Sequence, residues 1–151
     1  MKINKKISAL ICGALMALTS VSFATVRADQ VTLGNLQPGM TINQVKEIYG
    51  EPLRVDGDKW IYRNFYIEVG DHRDIVEEIV TEDGIFTTSD GVAVSMKEEV
   101  LNKFYGKADK VDVGPYSSNK EYEYYSSDHK YKMEFKIQNG IIIKIKCELN
   151  D

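Results

Sequence analysis

Apolar residues recur at helical spacing at Ile42, Val45, Ile48 and Tyr49, and again at Met96, Val100, Leu101 and Phe104. Side chains three and four positions apart share one helix face, so the pattern predicts amphipathic helices over residues 41–49 and 96–105. Thr41 and Gln44 have capping-box spacing at the start of the first. A helix this short is marginal alone and must dock on something. Elsewhere the period is two. Phe65, Ile67 and Val69 alternate with Tyr66 and Glu68, and Ile141, Ile143, Ile145 and Cys147 form a second alternating run. Strands are predicted over 59–63, 64–69, 75–81, 121–125, 131–137 and 141–148, from alternation and enrichment in β-branched and aromatic residues. Asn139-Gly140 marks a tight hairpin, because both residues accept positive φ. Residues 29–35 read as an irregular lead-in, and 85–94 as a linker that adds at most one strand.

The two helical segments end alike. Val45-Lys46-Glu47-Ile48-Tyr49-Gly50 is matched by Leu101-Asn102-Lys103-Phe104-Tyr105-Gly106, 56 positions later. Each glycine is placed to take the left-handed conformation that closes a helix, and Pro52 keeps the first helix from resuming. Beyond the helices the matching offset becomes 66, pairing Phe65 with Tyr131, Ile67 with Met133, Ile75 with Ile141 and Ile79 with Ile145. The second copy therefore carries ten extra residues, assigned to 114–120 and 126–130. Two copies of one helix and three strands predict an α+β domain: an antiparallel sheet backed by two short helices, with pseudo-equivalent halves at 29–84 and 85–151. Ile48 and Phe104 are expected to anchor its core.

The opening residues change the picture. Met1, Lys2, Lys5 and Lys6 precede an apolar run from Ile7 to Leu18 and a small-residue exit. This is the build of a secretory signal peptide, and the run is short for a membrane span. Cleavage after Ala24 or after Ala28 both fit; Ala28 is preferred, giving a removed segment of residues 1–28. Cys12 follows Ile11 rather than a small residue, which argues against a lipid anchor. The expected location is secreted or the periplasmic or cell-envelope space, without stable membrane insertion after signal removal. Of 19 basic residues, four lie in the removed segment and no acid does, leaving 15 against 23 and a formal charge of −8. Nucleic acid and anionic lipid both want a positive surface, so neither is expected as a partner. Cys147 stands alone after processing and reads as a buried thiol.

Chemistry is thin in this sequence. His72 and His129 fall in different turns without ligand-spaced neighbours and read as solvated. Asp56-Gly57-Asp58 is too short for a calcium loop. No nucleophile–base set and no phosphate cradle is visible, so no catalytic residue, cofactor or metal is assigned. Tyrosine is abundant instead: Tyr62, Tyr66, Tyr116, Tyr122, Tyr124, Tyr125 and Tyr131, with Trp60, crowd the strands and turns. Aromatic rings are enriched in binding hot spots, although alternation must send about half of these inward. Trp60, Tyr62, Tyr122 and Tyr124 are the candidate residues for binding through the face of the sheet away from the helices, and which of each alternating set faces outward stays open.

Gly39-Met40-Thr41, Val45 and then Tyr49-Gly50-Glu51-Pro52 resemble the opening of the SmpA/OmlA (BamE-like) family of small envelope proteins. The doubled layout is similar to the two-repeat β-lactamase-inhibitor-protein fold. Ser95 and Ala108 stand in the second copy where that pattern has glycine and proline. The resemblance implies a module whose sheet meets a protein partner, and it carries over no catalytic residues. The expectation is a non-catalytic exported protein-binding module, such as an envelope assembly factor or an enzyme inhibitor, with another exported or envelope protein as partner. The alternative is binding of carbohydrate or cell-wall polymer through Trp and Tyr.

Overall fold

Thr41 starts the first helix as its spacing predicts. Its hydroxyl accepts the Gln44 amide (3.3 Å), and the Gln44 side chain accepts the Thr41 N–H in return (2.8 Å). The computed structural model describes residues 26–70 and 74–150, so most of the expected signal peptide and the His72 turn lie outside the described residues. Helix α1 runs over Ile42–Tyr49. Helix α2 covers Glu99–Tyr105, three residues later than its periodicity suggests. The backbone just before it is spent otherwise: Ser95 N–H donates to Ile142 O, Met96 O accepts from Ile142 N–H, and Glu98 N–H donates to Gly140 O. The segment before α1 docks the same way, with Gly39 N–H on Val76 O and Ile42 N–H on Asp74 O.

Eight strands form one antiparallel sheet: β1 (Arg54–Asp56), β2 (Lys59–Ile61), β3 (Tyr66–Val69), β4 (Val76–Thr81), β5 (Lys110–Val113), β6 (Asn119–Tyr125), β7 (Tyr131–Gln138) and β8 (Ile141–Leu149). Their order is β1-β2-β3-β4-β8-β7-β6-β5. Two four-stranded meanders, each preceded by a helix, therefore meet where β4 pairs with β8. The expected α+β class and single antiparallel sheet are present, but with four strands after each helix instead of three. The unforeseen strands, β1 and β5, are the sheet edges, and every residue in them is exposed. No side of such a strand is buried, so it leaves no alternation to read. Asn139 and Gly140 both take positive φ, as the hairpin signal requires.

The core lies between the helices and one sheet face. Ile42, Val45, Leu101 and Tyr105 meet Ile67, Ile79, Met133, Phe135, Ile145 and Cys147 there. Val31, Leu33 and Leu36 from the irregular lead-in, and Phe86, Val92 and Val94 from the linker, complete it. Irregular backbone is thus a working part of this core. The expectation that Ile48 and Phe104 anchor it is corrected: they are 46% and 41% exposed. Each helix is about two turns long and buries a narrow stripe, filled by Ile42 and Val45 in α1 and by Leu101 and Tyr105 in α2.

Candidate functional site

A cleft of about 640 Å³ opens beside the C-terminal end of α1. That is the size range of small-ligand sites. Tyr49 from the last turn of α1, Tyr62 and Phe65 from the β2–β3 connection, and Phe86 from the linker line it. Phe65 is stacked between Tyr62 (4.6 Å between centroids) and Phe86 (4.4 Å), and Tyr49 meets Phe65 edge-on at 4.9 Å. These are favoured aromatic geometries. Phe86 also lies against Gly34, where an added Cβ would meet the ring at 2.0 Å. The Tyr49 hydroxyl donates to Gly34 O, and the Tyr62 hydroxyl donates to Gly50 O. The aromatic wall of the cleft is thereby tied to Gly34 and Gly50.

The rim is held separately. Asn64 donates to the Asp83 carboxylate (2.6 Å), which also accepts the Ile85 N–H (2.8 Å). These two donors, the backbone one first, hold the Asp83 carboxyl below the usual range. Thr81 Oγ1 donates to Asn64 O (2.7 Å). Ile85, 81% exposed, stands on this rim, and Leu53, 71% exposed, lines the same cleft.

The cluster beside α2 is closed. Tyr105 packs against Tyr124 and Phe135, both at 5.5 Å, and its hydroxyl meets Thr88 Oγ1 at 2.8 Å. The Tyr124 hydroxyl donates to Gly106 O (3.4 Å), as Tyr62 does to Gly50 O. Tyr105 is fully buried, whereas Tyr49 is part-exposed and borders the cleft. Burial pushes the Tyr105 and Tyr124 hydroxyls above their ordinary range.

The open face of the sheet is a lattice of charge. At its centre Lys132 bonds Glu134 and Glu148 (both 2.6 Å), and Lys146 bonds the same two carboxylates (2.8 and 2.9 Å). Lys59 with Glu68, Lys144 with Glu82 and Lys136 with Glu121 extend it. Burial opposes ionisation of Glu148, but Lys132 and Lys146 outweigh it and hold that carboxyl below its usual range. Burial raises Glu78, which Lys146 offsets only in part. Carboxylate oxygens of Asp112, Glu121 and Glu123 converge within 4.8 Å, a set that could hold a cation. Lys110 already bonds Asp112 (2.6 Å) and Glu123 (2.7 Å), so protein cations supply the compensation.

The register settles where the expected binding residues lie. Trp60 pairs with Ile67, Tyr122 with Phe135 and Tyr124 with Met133, and directly paired residues share a face. All three partners are buried under the helices. Tyr62, two residues beyond Trp60, is buried on that side too. None of the four therefore lies on the open face, through which binding is expected from the sequence. Trp60 is half-buried beneath the Lys46 ammonium, Tyr124 is in the core, and Tyr122 donates to Glu98 (2.9 Å). The β2 pair and the β6 pair are separated by four intervening strands. Only Tyr62 belongs to the cleft. Sequence reasoning missed Tyr49, Phe65, Leu53, Ile85 and Phe86; the signal was present in Ile85-Phe86, an apolar pair inside a linker. His129 is exposed in its turn, and Cys147 is buried with its thiol pushed up by that burial, both as expected.

Among the described residues no helix is long and apolar enough to cross a membrane. No sequence pattern of a known protein family matches the chain, and no curated protein matches it. Solved structures do. A DUF4309 family protein (YjgB) from Bacillus subtilis subsp. subtilis str. 168 aligns with a TM-score of 0.51 and 21% identity, covering 72% of this chain and 78% of that one. An extracellular protein containing an SCP domain, from Bacillus anthracis str. Ames, aligns with a TM-score of 0.56 and 9% identity, over 99% of this chain. This chain spans about half of that protein's length (50%). Neither is an SmpA/OmlA protein, and at these identities the likeness is one of fold: a small α+β domain.

Proposed function

We propose that this is a non-catalytic, exported module that binds a segment of another exported protein in the aromatic cleft beside α1. The observation that carries the reading is a cleft with one wall of four packed aromatic rings, Tyr49, Tyr62, Phe65 and Phe86, beside the exposed side chains of Leu53 and Ile85. Large aliphatic side chains left in water beside a pocket mark interaction surfaces. The carbohydrate alternative is weaker here, because sugar rings need free aromatic faces. Phe65 is covered on both faces and Phe86 is covered by Phe65 and Gly34. An aliphatic side chain can pack against ring edges and the rim, so a protein segment fits better. One neighbour in structure is described as extracellular, which is compatible with export.

The duplicated layout belongs to the same proposal. Two helices close on glycines that each accept a tyrosine hydroxyl, and two pre-helix segments bridge the start of β4 and of β8, Thr41 with Ile75 and Lys97 with Ile141. Those bridges reproduce the offsets of 56 and 66 in the sequence. In this reading the α2 half kept a closed aromatic cluster while the α1 half opened into a site, consistent with the SmpA/OmlA-like opening lying in the α1 half.

The test is affinity capture from the envelope fraction of the source cells, with the wild-type domain and a Leu53→Ser/Ile85→Ser variant as baits. Both substituted side chains are exposed, so the variant should fold. A defined protein held by the wild type and lost by the variant supports the proposal. Retention of polysaccharide instead selects the alternative, and equal capture by both baits removes the cleft from the function.

A further inference from the structure

The two small-residue exits of the signal segment, Ser22-Phe23-Ala24 and Val26-Arg27-Ala28, both fit the sequence, and the second is the one preferred from sequence alone. The fold distinguishes them, because residues 26–28 are built into the domain. Val26 is 3% exposed and belongs to the hydrophobic core. It bridges Ser126 in parallel register, and its carbonyl accepts the Ser127 N–H (2.8 Å). The Arg27 carbonyl accepts Gln30 N–H, while Arg27 N–H donates back to Gln30 Oε1, both at 2.9 Å. The Ala28 carbonyl accepts the Gln37 side-chain amide (2.7 Å) and the Val31 N–H (3.2 Å). A chain beginning at Asp29 would lack all of this. It would leave a gap where Val26 packs against the core and deprive Ser127 N–H and Gln37 Nε2 of their acceptors, each a known source of instability.

Resting on the reading of this protein as exported, we infer that processing occurs after Ala24, so that the mature chain starts at Thr25. The reaction is hydrolysis of the Ala24–Thr25 amide by a membrane signal peptidase. One water supplies the hydroxyl that completes the Ala24 carboxylate and the proton that completes the Thr25 amine, and no redox partner is needed. Ser22 and Ala24 satisfy the requirement for small residues three and one positions before the cut. Ala24 is also nearer the apolar run than Ala28 is. Cleavage there leaves one residue ahead of Val26 and keeps every contact described above.

The experiment is expression of the full chain in a secreting bacterial host, followed by N-terminal sequencing and intact mass of the exported form. Thr25 as first residue is expected; Asp29 as first residue overturns the inference. Ala24→Leu should accumulate precursor, while Ala28→Leu should be processed normally, and the reverse pattern is also contradictory. A wild-type chain retained uncleaved in the cell contradicts the export reading itself and is recognised by its full mass. Separately, a chain starting at Asp29 should melt roughly 5–10 °C below one starting at Thr25, from the buried valine and lost hydrogen bonds. Equal melting temperatures would remove the physical ground for preferring Ala24.

Discussion

Gly50 and Gly106 do more than end helices. Their backbone angles, φ 75° with ψ −160° and φ 71° with ψ −149°, lie outside the left-handed helical region expected from sequence and in territory that is essentially glycine-only. That conformation presents each carbonyl to a tyrosine hydroxyl on the sheet. Gly50→Ala should cost about 1–3 kcal/mol through backbone strain alone, since nothing lies within 4 Å of the added Cβ. Urea denaturation measures it, and an unchanged midpoint would show that the strain is absent. The helix stripes give a second test. Leu101→Ala should cost about 2–5 kcal/mol, whereas Phe104→Ala, at a part-exposed position, should cost about 1 kcal/mol or less. If the two losses came out in the opposite order, α2 would be docked by the wrong face. Periodicity placed both residues on one apolar stripe. It could not show that two turns of helix bury less than the whole stripe.

At the scale of elements, what was legible followed from local chemistry. The Thr41–Gln44 cap, the Asn139-Gly140 hairpin and six of the strands each rest on neighbours in sequence. What was not legible depends on distant partners. Aromatic residues occur in both alternating sets, Trp60 and Tyr62 in one, Tyr66 and Tyr125 in the other. Only pairing with Ile67, Phe135 and Met133 assigns the faces. The outcome is a charged open face, and its behaviour with pH can be stated. Glu78, raised by burial, takes up a proton in the fold before it would in the unfolded chain. Stability should therefore rise slightly as pH falls from its folded pKa toward the ordinary glutamate value. Glu148 and Glu98 are held low: burial opposes this in both, but Lys132 and Lys146 prevail at the first, and Lys120 and Tyr122 at the second. Their contribution is present above the ordinary glutamate range and is lost as pH falls through their folded values. Denaturation midpoints across acid pH should show a shallow rise and then a steep fall. Glu78→Gln should remove the rise, and Glu148→Gln should soften the fall. A monotonic profile that both variants leave unchanged would mean that this lattice does not couple to folding.

For the molecule as a whole, one sheet carries two helix-led meanders, and among the described residues the cleft beside α1, about 640 Å³, is larger than the one beside α2, about 370 Å³. The irregular segments make that difference. Phe86 and Ile85 reach the α1 side from the linker, while Thr88 from the same linker, which also lines that cleft, bonds the buried Tyr105 of α2. The sequence showed the linker's length but not its burial, because irregular core segments carry no period. The most direct measurement of the central claim is site-specific photo-crosslinking in the exporting cell. A photoreactive phenylalanine replaces Ile85 on the cleft rim in one strain and Tyr66 on the open sheet face in another. The account predicts a discrete protein adduct from position 85 and none from position 66. An adduct from position 66 alone, or none from either position, would contradict it.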